Sequence, residues 1–251
     1  MFEVTGLSKS FGGLKALENL DISVKSGEVM GLIGPNGSGK TTTINLITGL
    51  LKADSGKVQL DGKDLTNKAA DIIAKLGTAR TFQNLRIFSR QTVQDNIRVA
   101  QTTQCKSVFS KFVPFLTDEE RAFRLETDAL LNEFELSHVS HKRAESLSYG
   151  EKKRLEMARA LALKPKILLL DEPAAGMNPL ELDWLAETIV GLKKSGLAII
   201  LVEHHMKLVM KICDRITVLN FGNKIAEGSP KEITNNKDVI TAYLGKDHTI
   251  A

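Results

Sequence analysis

Gly34-Pro35-Asn36-Gly37-Ser38-Gly39-Lys40-Thr41-Thr42 fits the phosphate-binding pattern G-x-x-x-x-G-K-[ST], with Gly34 and Gly39 framing the loop and Lys40-Thr41 closing it. Before it, Glu28 to Ile33 is a short apolar run suited to a buried strand; after it, Thr41 to Leu50 has the apolar spacing of a helix. Glycines let the backbone turn its N–H groups toward phosphate oxygens, and the following helix adds the positive end of its dipole. On this reading Lys40 brings a point charge to the outer phosphates. The Thr41 hydroxyl brings a hard oxygen to Mg²⁺, an ion that normally keeps several waters. A glycine-rich turn that only caps a helix would not need Lys-Thr directly after its last glycine. The chain is therefore expected to bind a nucleoside triphosphate with Mg²⁺ through residues 34–42.

The 251 residues suffice for one large core or for a main lobe with a smaller one. With 34 Lys+Arg against 30 Asp+Glu the formal net charge is +4, spread along the chain, which gives little support to a polyanionic partner such as nucleic acid. Cys105 and Cys213 lack metal-ligand or CxxC spacing, and the chain starts with Phe2-Glu3-Val4 where a leader would be basic and then apolar. These features fit a reducing cytoplasm. The most apolar stretch, Gly196 to Val202, falls far short of the roughly 18–20 residues that span a bilayer. Work at a membrane would need another chain as anchor.

Phe2 to Leu7, Leu20 to Val24 and Gly56 to Leu60 with the turn Asp61-Gly62 read as strands of a small antiparallel layer. Between the first two, Phe11 sits beside Gly12-Gly13 on an expected loop, where its ring either stacks on a nucleobase or belongs to the core. Short helical signals run from Asp71 to Leu76 and from Val93 to Ala100. Glu119 to Phe134 follows, with Phe123, Thr127, Leu130, Leu131 and Phe134 at three- and four-residue steps. A helical lobe thus interrupts the α/β pattern. Within it, the apolar cluster of Val108, Phe109, Phe112, Val113 and Phe115 either packs inside the lobe or docks on a partner.

Ser148 and Glu151 in Leu147-Ser148-Tyr149-Gly150-Glu151 have the S-x-x-E spacing of a capping box at the start of a helix that continues to Leu163. A helix start without bulky side chains near Gly150 is also an anion site. Pro165 ends that helix before the apolar strand Lys166 to Leu170 and the pair Asp171-Glu172. Two carboxylates at the end of a buried strand are costly unless they carry chemistry. Beside a phosphate loop, Asp171 can hold Mg²⁺ through its waters, and Glu172, pointing the other way, can deprotonate an attacking water. Glu181 to Lys194 reads as a helix and Leu197 to Val202 as a strand ending at Glu203-His204-His205; His204 either reaches a terminal phosphate or lies on an exposed loop. Ile216 to Asn220 and Lys224 to Ala226 suggest a hairpin around Gly222-Asn223, and Ser229-Pro230-Lys231-Glu232 a capped helix reaching about Leu244.

In this order the set resembles the ATP-binding-cassette family over nearly the whole chain. By that resemblance Phe11 matches the aromatic of the adenine-stacking loop, Gly34 to Thr42 the Walker A segment, and Gln83 the lid glutamine that contacts Mg²⁺ and senses the membrane subunit. Leu147 to Glu151 resembles the signature LSGGQ, Ile167 to Asp171 the Walker B strand, Glu172 the catalytic carboxylate and His204 the switch histidine. Tyr149 and Glu151 replace Gly and Gln of the commonest signature, and Asn178, a dimer-contact position, stands where many cassettes have Asp.

The resemblance implies an α/β fold: a phosphate-loop, RecA-like, mostly parallel sheet with an antiparallel β layer. It implies one nucleotide-binding domain over 1–251, with a helical subdomain inserted at about 86–163. Ala174-Ala175-Gly176-Met177-Asn178-Pro179, the run Phe82 to Phe88, the long insert, Glu203 to Met210 and Tyr243-Leu244-Gly245 look like the larger ATPase subunit of bacterial branched-chain amino acid importers. ATPases of urea, amide and lipopolysaccharide transporters are near relatives; a soluble cassette acting on ribosomes or DNA is a rival without the second cassette or coiled-coil insert it would usually carry. For the importer reading the expected partners are a second cassette, paralogous or identical, two membrane-spanning permease subunits and, indirectly, a solute-binding receptor. The expected place is the cytoplasmic face of the inner membrane, as a peripheral subunit, with ATP and Mg²⁺ as ligands. Ser148, Tyr149, Gly150 and Glu151 would then meet the partner's ATP.

Overall fold

The structure is a computed structural model that describes residues 1–104 and 118–244; the apolar cluster between Cys105 and Leu116, and Gly245, lie outside the described residues. In chain order it begins with β1 (Phe2–Phe11), β2 (Leu14–Val24), β3 (Val29–Ile33), α1 (Lys40–Ile47), β4 (Ser55–Leu60), β5 (Lys63–Asp64), α2 (Ala70–Lys75) and β6 (Thr78–Arg80). Three helices follow: α3 (Val93–Gln101), α4 (Asp118–Glu133) and α5 (Tyr149–Leu161). The chain then runs through β7 (Ile167–Asp171), α6 (Pro179–Lys194), β8 (Ala198–Val202), α7 (Met206–Ile212), β9 (Arg215–Asn220), β10 (Asn223–Gly228), α8 (Pro230–Thr234) and α9 (Lys237–Leu244). Two compact units result, one from Met1–Arg80 with the chain from Lys166 onward, the other from Thr81–Pro165.

The first unit holds two sheets. An antiparallel one has the order β2-β1-β4-β5, and a six-stranded one the order β10-β9-β3-β8-β7-β6. In the second, β3, β6, β7, β8 and β9 pair in parallel and only β10 runs against its neighbour. Alternation along the parallel strands explains their composition. Met30, Leu32, Leu169, Ile200 and Val202 face a core shared with Phe2, Leu7 and Leu20 of the antiparallel sheet and Ile44 and Ile47 of α1. The intervening Val29, Ile33, Leu168, Leu170, Ile199 and Leu201 are buried too, so both faces are covered and the strands read as continuous apolar runs. Each such side chain contributes about 1.5–3 kcal/mol by leaving water.

In the second unit a buried amide organises the chain ahead of α3. Asn96 is fully buried; its Oδ1 accepts from Phe88 N at 2.9 Å, and its Nδ2 donates to Phe88 O at 3.0 Å and Thr92 O at 2.9 Å. Thr92 caps α3 by accepting from Asp95 N. α5 holds the same loop further back. The buried Glu156 carboxylate accepts from Phe82 N at 3.0 Å, and burial raises its pKa above the usual carboxylate range. Arg159 donates to Arg86 O and stacks 4.7 Å from the Phe88 ring.

Several elements differ from expectation. β1 runs on to Phe11, and Gly12-Gly13 form a tight hairpin turn with both φ positive, so no flexible loop intervenes. β6 and α7 have no counterpart in the sequence pattern: a strand of three residues and a helix of seven are too short to show a period. The hairpin after β9 turns at Phe221-Gly222, one residue early. The single terminal helix is two, α8 and α9, because Asn236 Oδ1 accepts from Asp238 N and Val239 N and starts the second.

Replacing Asn96 with Ala removes the buried amide that pairs with the Phe88 N–H and C=O and with Thr92 O, and leaves a gap where the amide was. Loss of roughly 2–4 kcal/mol of stability is expected. Urea unfolding followed by circular dichroism measures it, and a loss below about 0.5 kcal/mol, the level of an ordinary surface change, would deny Asn96 this role.

Candidate functional site

Residues 34–42 leave the buried strand β3 under tight steric control. At Gly34, φ is 153° and a Cβ would lie 2.1 Å from Leu219 O on β9 and 2.6 Å from Ser38 Oγ, so only glycine fits. The loop then folds back on itself: Ser38 N donates to Pro35 O, and Ser38 O accepts from Gly222 N at 3.0 Å. Gly39, at φ 107°, is the residue before α1, which has no side-chain cap and no acid in its first turn. The first N–H groups of that helix are therefore left to an anion by their own sequence.

Two side chains carry the same message. Ser38 Oγ is buried without a hydrogen-bond partner among the described residues. Lys40 is nearly buried and rests its Nζ on Gly34 O at 2.7 Å and Pro35 O at 3.0 Å. Burial pushes its ammonium below the usual value, while the charges of Glu172 and Asp171 push it back up. Asn36, Gly37 and Thr41 are exposed, with Pro35 and Thr42 partly so. A half-desolvated cation, an orphaned hydroxyl and an unclaimed helix start together make an anion cradle of phosphate character.

Asp171 closes β7, only 5% exposed, and its Oδ2 accepts from Arg80 Nη2 at 2.6 Å. Thr41 stands in the first turn of α1. Among the described residues no three His, Cys, Asp or Glu cluster to hold a metal. A cation here would need further oxygens from phosphate and water, which is how Mg²⁺ is usually bound, and the hydroxyl and carboxylate are of the hard type it prefers.

Glu172 lies just beyond the strand at φ 49°, its N–H donating to Val202 O at 2.9 Å. That left-handed turn is uncommon for a residue with a Cβ and is kept at a cost of order 1–2 kcal/mol. Its Oε1 is 3.8 Å from Nδ1 of the largely exposed His204. Behind them is Glu203, 1% exposed. Its Oε1 accepts from Ala174 N at 2.7 Å, and its Oε2 from His204 N and His205 N at 3.1 and 3.2 Å. One buried carboxylate thus ties the loop after Glu172 to the loop carrying His204.

The remaining positions divide between the units. Phe11 is 46% exposed at the end of β1, with Lys9 Nζ 5.5 Å above its ring, so it is not a core residue. It pairs with Leu14, two residues before Ala16, whose carbonyl lies against Gly39. Asn178 caps α6, accepting from Glu181 N at 3.0 Å and donating its own N–H to Glu181 at 2.8 Å. Gln83 and the signature residues belong to the second unit. Gln83 is exposed on the loop held by Glu156. Ser148 caps α5 in a full capping box: Glu151 N donates to its Oγ, while its N–H and hydroxyl both donate to Glu151 Oε2 at 2.7 Å. Tyr149 is exposed, with Lys153 Nζ 5.8 Å from its ring, and Gly150 is buried.

Sequence reasoning missed Arg80 and Glu203 as parts of the site. An acid ending an apolar strand beside His204 was a usable signal for Glu203. Arg80 had none, since its partner lies ninety-one positions away and meets it only through strand pairing.

The model of the family described as ABC transporter matches residues 17–175, and that described as branched-chain amino acid ATP-binding cassette transporter matches residues 223–249. The chain is 40% identical to the high-affinity branched-chain amino acid transport ATP-binding protein BraF of Pseudomonas aeruginosa, with 98% of each chain covered. It is 43% identical to LivG of Salmonella typhimurium, again over 98% of both, and 40% identical to a probable LivG of Archaeoglobus fulgidus over 98% of this chain and 95% of the relative. Among solved structures, a nucleotide-free ATP-binding cassette from an ABC transporter superposes with a TM-score of 0.85 at 33% identity, covering 98% of this chain and 99% of that one. The ADP conformation of the cassette MJ1267 does so with the same score and coverage at 34%.

Hydrogen bonding to Ser148, its hydroxyl first, holds the Glu151 carboxyl below its usual range. A depressed carboxylate pKa contributes stability above the unfolded value that is lost as pH falls through the folded one. Glu151→Gln keeps an acceptor for Ser148 N–H without the charge, and at pH 7 should cost up to about 1 kcal/mol, discounted for partial exposure. The gap between variant and wild type should narrow as pH drops from 7 to below about 4, the region where carboxylates protonate. Urea titrations at both pH values check this; a constant gap would place the stabilisation elsewhere.

Proposed function

The chain belongs to the ABC transporter family of ATP-binding cassettes, and we propose that it is the ATP-hydrolysing subunit of an importer of branched-chain or other hydrophobic amino acids. Near-full-length likeness at 40–43% to subunits named for that transport supports the solute class. In this reading Gly34 to Thr42 and Lys40 bind the triphosphate, and Phe11 offers its exposed ring to the base. Thr41, Asp171 and Gln83 are the metal-binding set, and Mg²⁺, when bound, neutralises charge on the outer phosphates. Glu172 takes the proton of the attacking water, and His204 binds the terminal phosphate.

The observation that carries the hydrolytic assignment is the divergence of two adjacent carboxylates. Asp171 is pinned by Arg80, whereas Glu172 turns away at positive φ toward His204. Neighbouring acids in different surroundings can take different roles. Ser148, Tyr149, Gly150 and Glu151 would complete the nucleotide site of a second cassette, with Asn178 near the contact between the two. The helical unit would pass the resulting motion to two permease subunits, which would hold this chain at the cytoplasmic face of the inner membrane and take solute from a receptor. Among the described residues no helix is long and apolar enough to cross a membrane, consistent with a peripheral subunit.

Glu172→Gln is expected to bind ATP normally and to lower turnover at least about 100-fold, the scale of a general base. The amide still hydrogen-bonds water but takes no proton from it. Phosphate release by the purified chain or its complex, read beside ATP affinity, is the measurement; near-normal release would remove Glu172 from catalysis. Loss of leucine uptake on deleting the gene tests the solute class separately.

A further inference from the structure

The cation that balances Asp171 comes from the neighbouring strand, and register explains the meeting. In the parallel pairing of β6 with β7, Arg80 lies opposite Leu169. Asp171, two residues on, projects from the same face as Leu169. That face is covered by α1, since Leu169 shares its core with Ile44 and Ile47. The Arg80 guanidinium therefore reaches a strand end and a helix at once. It donates to Asp171 Oδ2 at 2.6 Å and to Asn45 Oδ1 at 2.7 Å, with Thr48 Oγ1 at 3.4 Å. Both members of the ion pair are less than a tenth exposed. A planar fork can hold two acceptors in fixed directions, whereas an ammonium is a point charge without that geometry.

We propose that Arg80 is the positioning residue of the metal-binding carboxylate: it fixes Asp171 through Oδ2, leaves Oδ1 as the oxygen available to the metal's water shell, and through Asn45 locks that direction to α1, whose first turn carries Thr41. This rests on the reading of Asp171 as a metal ligand. The charge of Arg80 also repels a second cation, so its removal has two opposed effects. Repulsion is muted because the guanidinium is already paired with the carboxylate. A buried carboxylate stripped of its partner, by contrast, has neither compensation nor a fixed direction, and loss of orientation is the larger effect. Arg80 also stands three residues before Gln83 in the chain, so the residue that aims Asp171 begins the segment leading to the proposed lid glutamine.

Mn²⁺ replaces Mg²⁺ as a probe whose binding to the ADP-bound full chain is read by electron paramagnetic resonance. Arg80→Ala should weaken Mn²⁺ about 10-fold, the lower end for residues that orient metal ligands, and Arg80→Lys by less. ADP affinity in EDTA should stay within about twofold of wild type in both, since the phosphate loop itself is untouched. In the Asp171→Asn background, Mn²⁺ binding should already be weak and Arg80→Ala should weaken it no further. Equal losses with and without metal would assign Arg80 to the fold alone and overturn the proposal, and so would unchanged or tighter Mn²⁺ binding in both Arg80 variants. If Asp171→Asn binds Mn²⁺ like wild type, Asp171 is not a ligand and Arg80 has nothing to position; that result identifies the earlier assignment as the one at fault.

Discussion

Parallel pairing of β3, β8 and β7 is the constraint on which the site depends. Leu32 lies opposite Val202, and Val202 opposite Asp171, so three strands end at one level. Neighbouring strands are about 4.8 Å apart, and whatever follows each carboxyl end must emerge within a few ångströms of the next. After β3 comes the phosphate loop, after β8 Glu203 and His204, after β7 Glu172. No long-range attraction between these groups is needed to assemble them, because the apolar interiors of the strands set the register. The antiparallel sheet and α1 press on one face of this arrangement and make slippage costly, since a one-residue shift would carry every side chain packed there to the opposite face.

Such an edge collects groups that would be unstable alone. Lys40 is desolvated, Ser38 keeps a buried hydroxyl without a partner among the described residues, Glu172 holds a left-handed backbone, and Glu203 is a buried acid. Lys40 and Glu203 are compensated in different ways. Lys40 borrows two carbonyls of its own loop, and Glu203 is satisfied by three backbone N–H groups. The uncompensated one, Ser38, lies where phosphate is expected, and its desolvation is the kind of cost a ligand can recover. At this edge an unmet hydroxyl, a left-handed acid and a desolvated cation stand together, a combination that suits a binding site better than a scaffold.

How legible this was depended on how local the cause is. The phosphate loop, the capping box at Ser148 and the strand before Asp171 are written in neighbouring residues, and the structure has each. For Phe11 the neighbouring residues suit base and core alike, and only a strand running to the hairpin turn explains why the ring is half exposed. Arg80 with Asp171, and Glu203 with Ala174, are meetings created by strand order, which no window of sequence contains. The split of the terminal helix escapes a reading of period for a smaller reason: Asn235 Nδ2 donates back to Lys231 O and Asn236 Oδ1 accepts from Asp238 N, so a competing turn wins over helix propensity there.

The two departures from the commonest family pattern have local explanations. Asn178 stands where many cassettes have Asp, yet in this chain its side chain caps α6, and Asn and Asp are nearly equal caps. What the substitution removes is a charge, not the helix start. Glu151 is the reverse case. Its carboxylate receives both the N–H and the hydroxyl of Ser148, so the hydroxyl that a partner's phosphate would seek is already donating to an anion. A phosphate arriving there must take that proton from Glu151 and tolerate a negative charge at the third residue of the helix, against the favourable dipole of its N-terminus. Glutamine at this position would remove the charge, while its amide oxygen could still accept from Ser148. If Ser148 meets a partner's phosphate as proposed, the same box that makes α5 a well-formed helix also sets a charge against that approach.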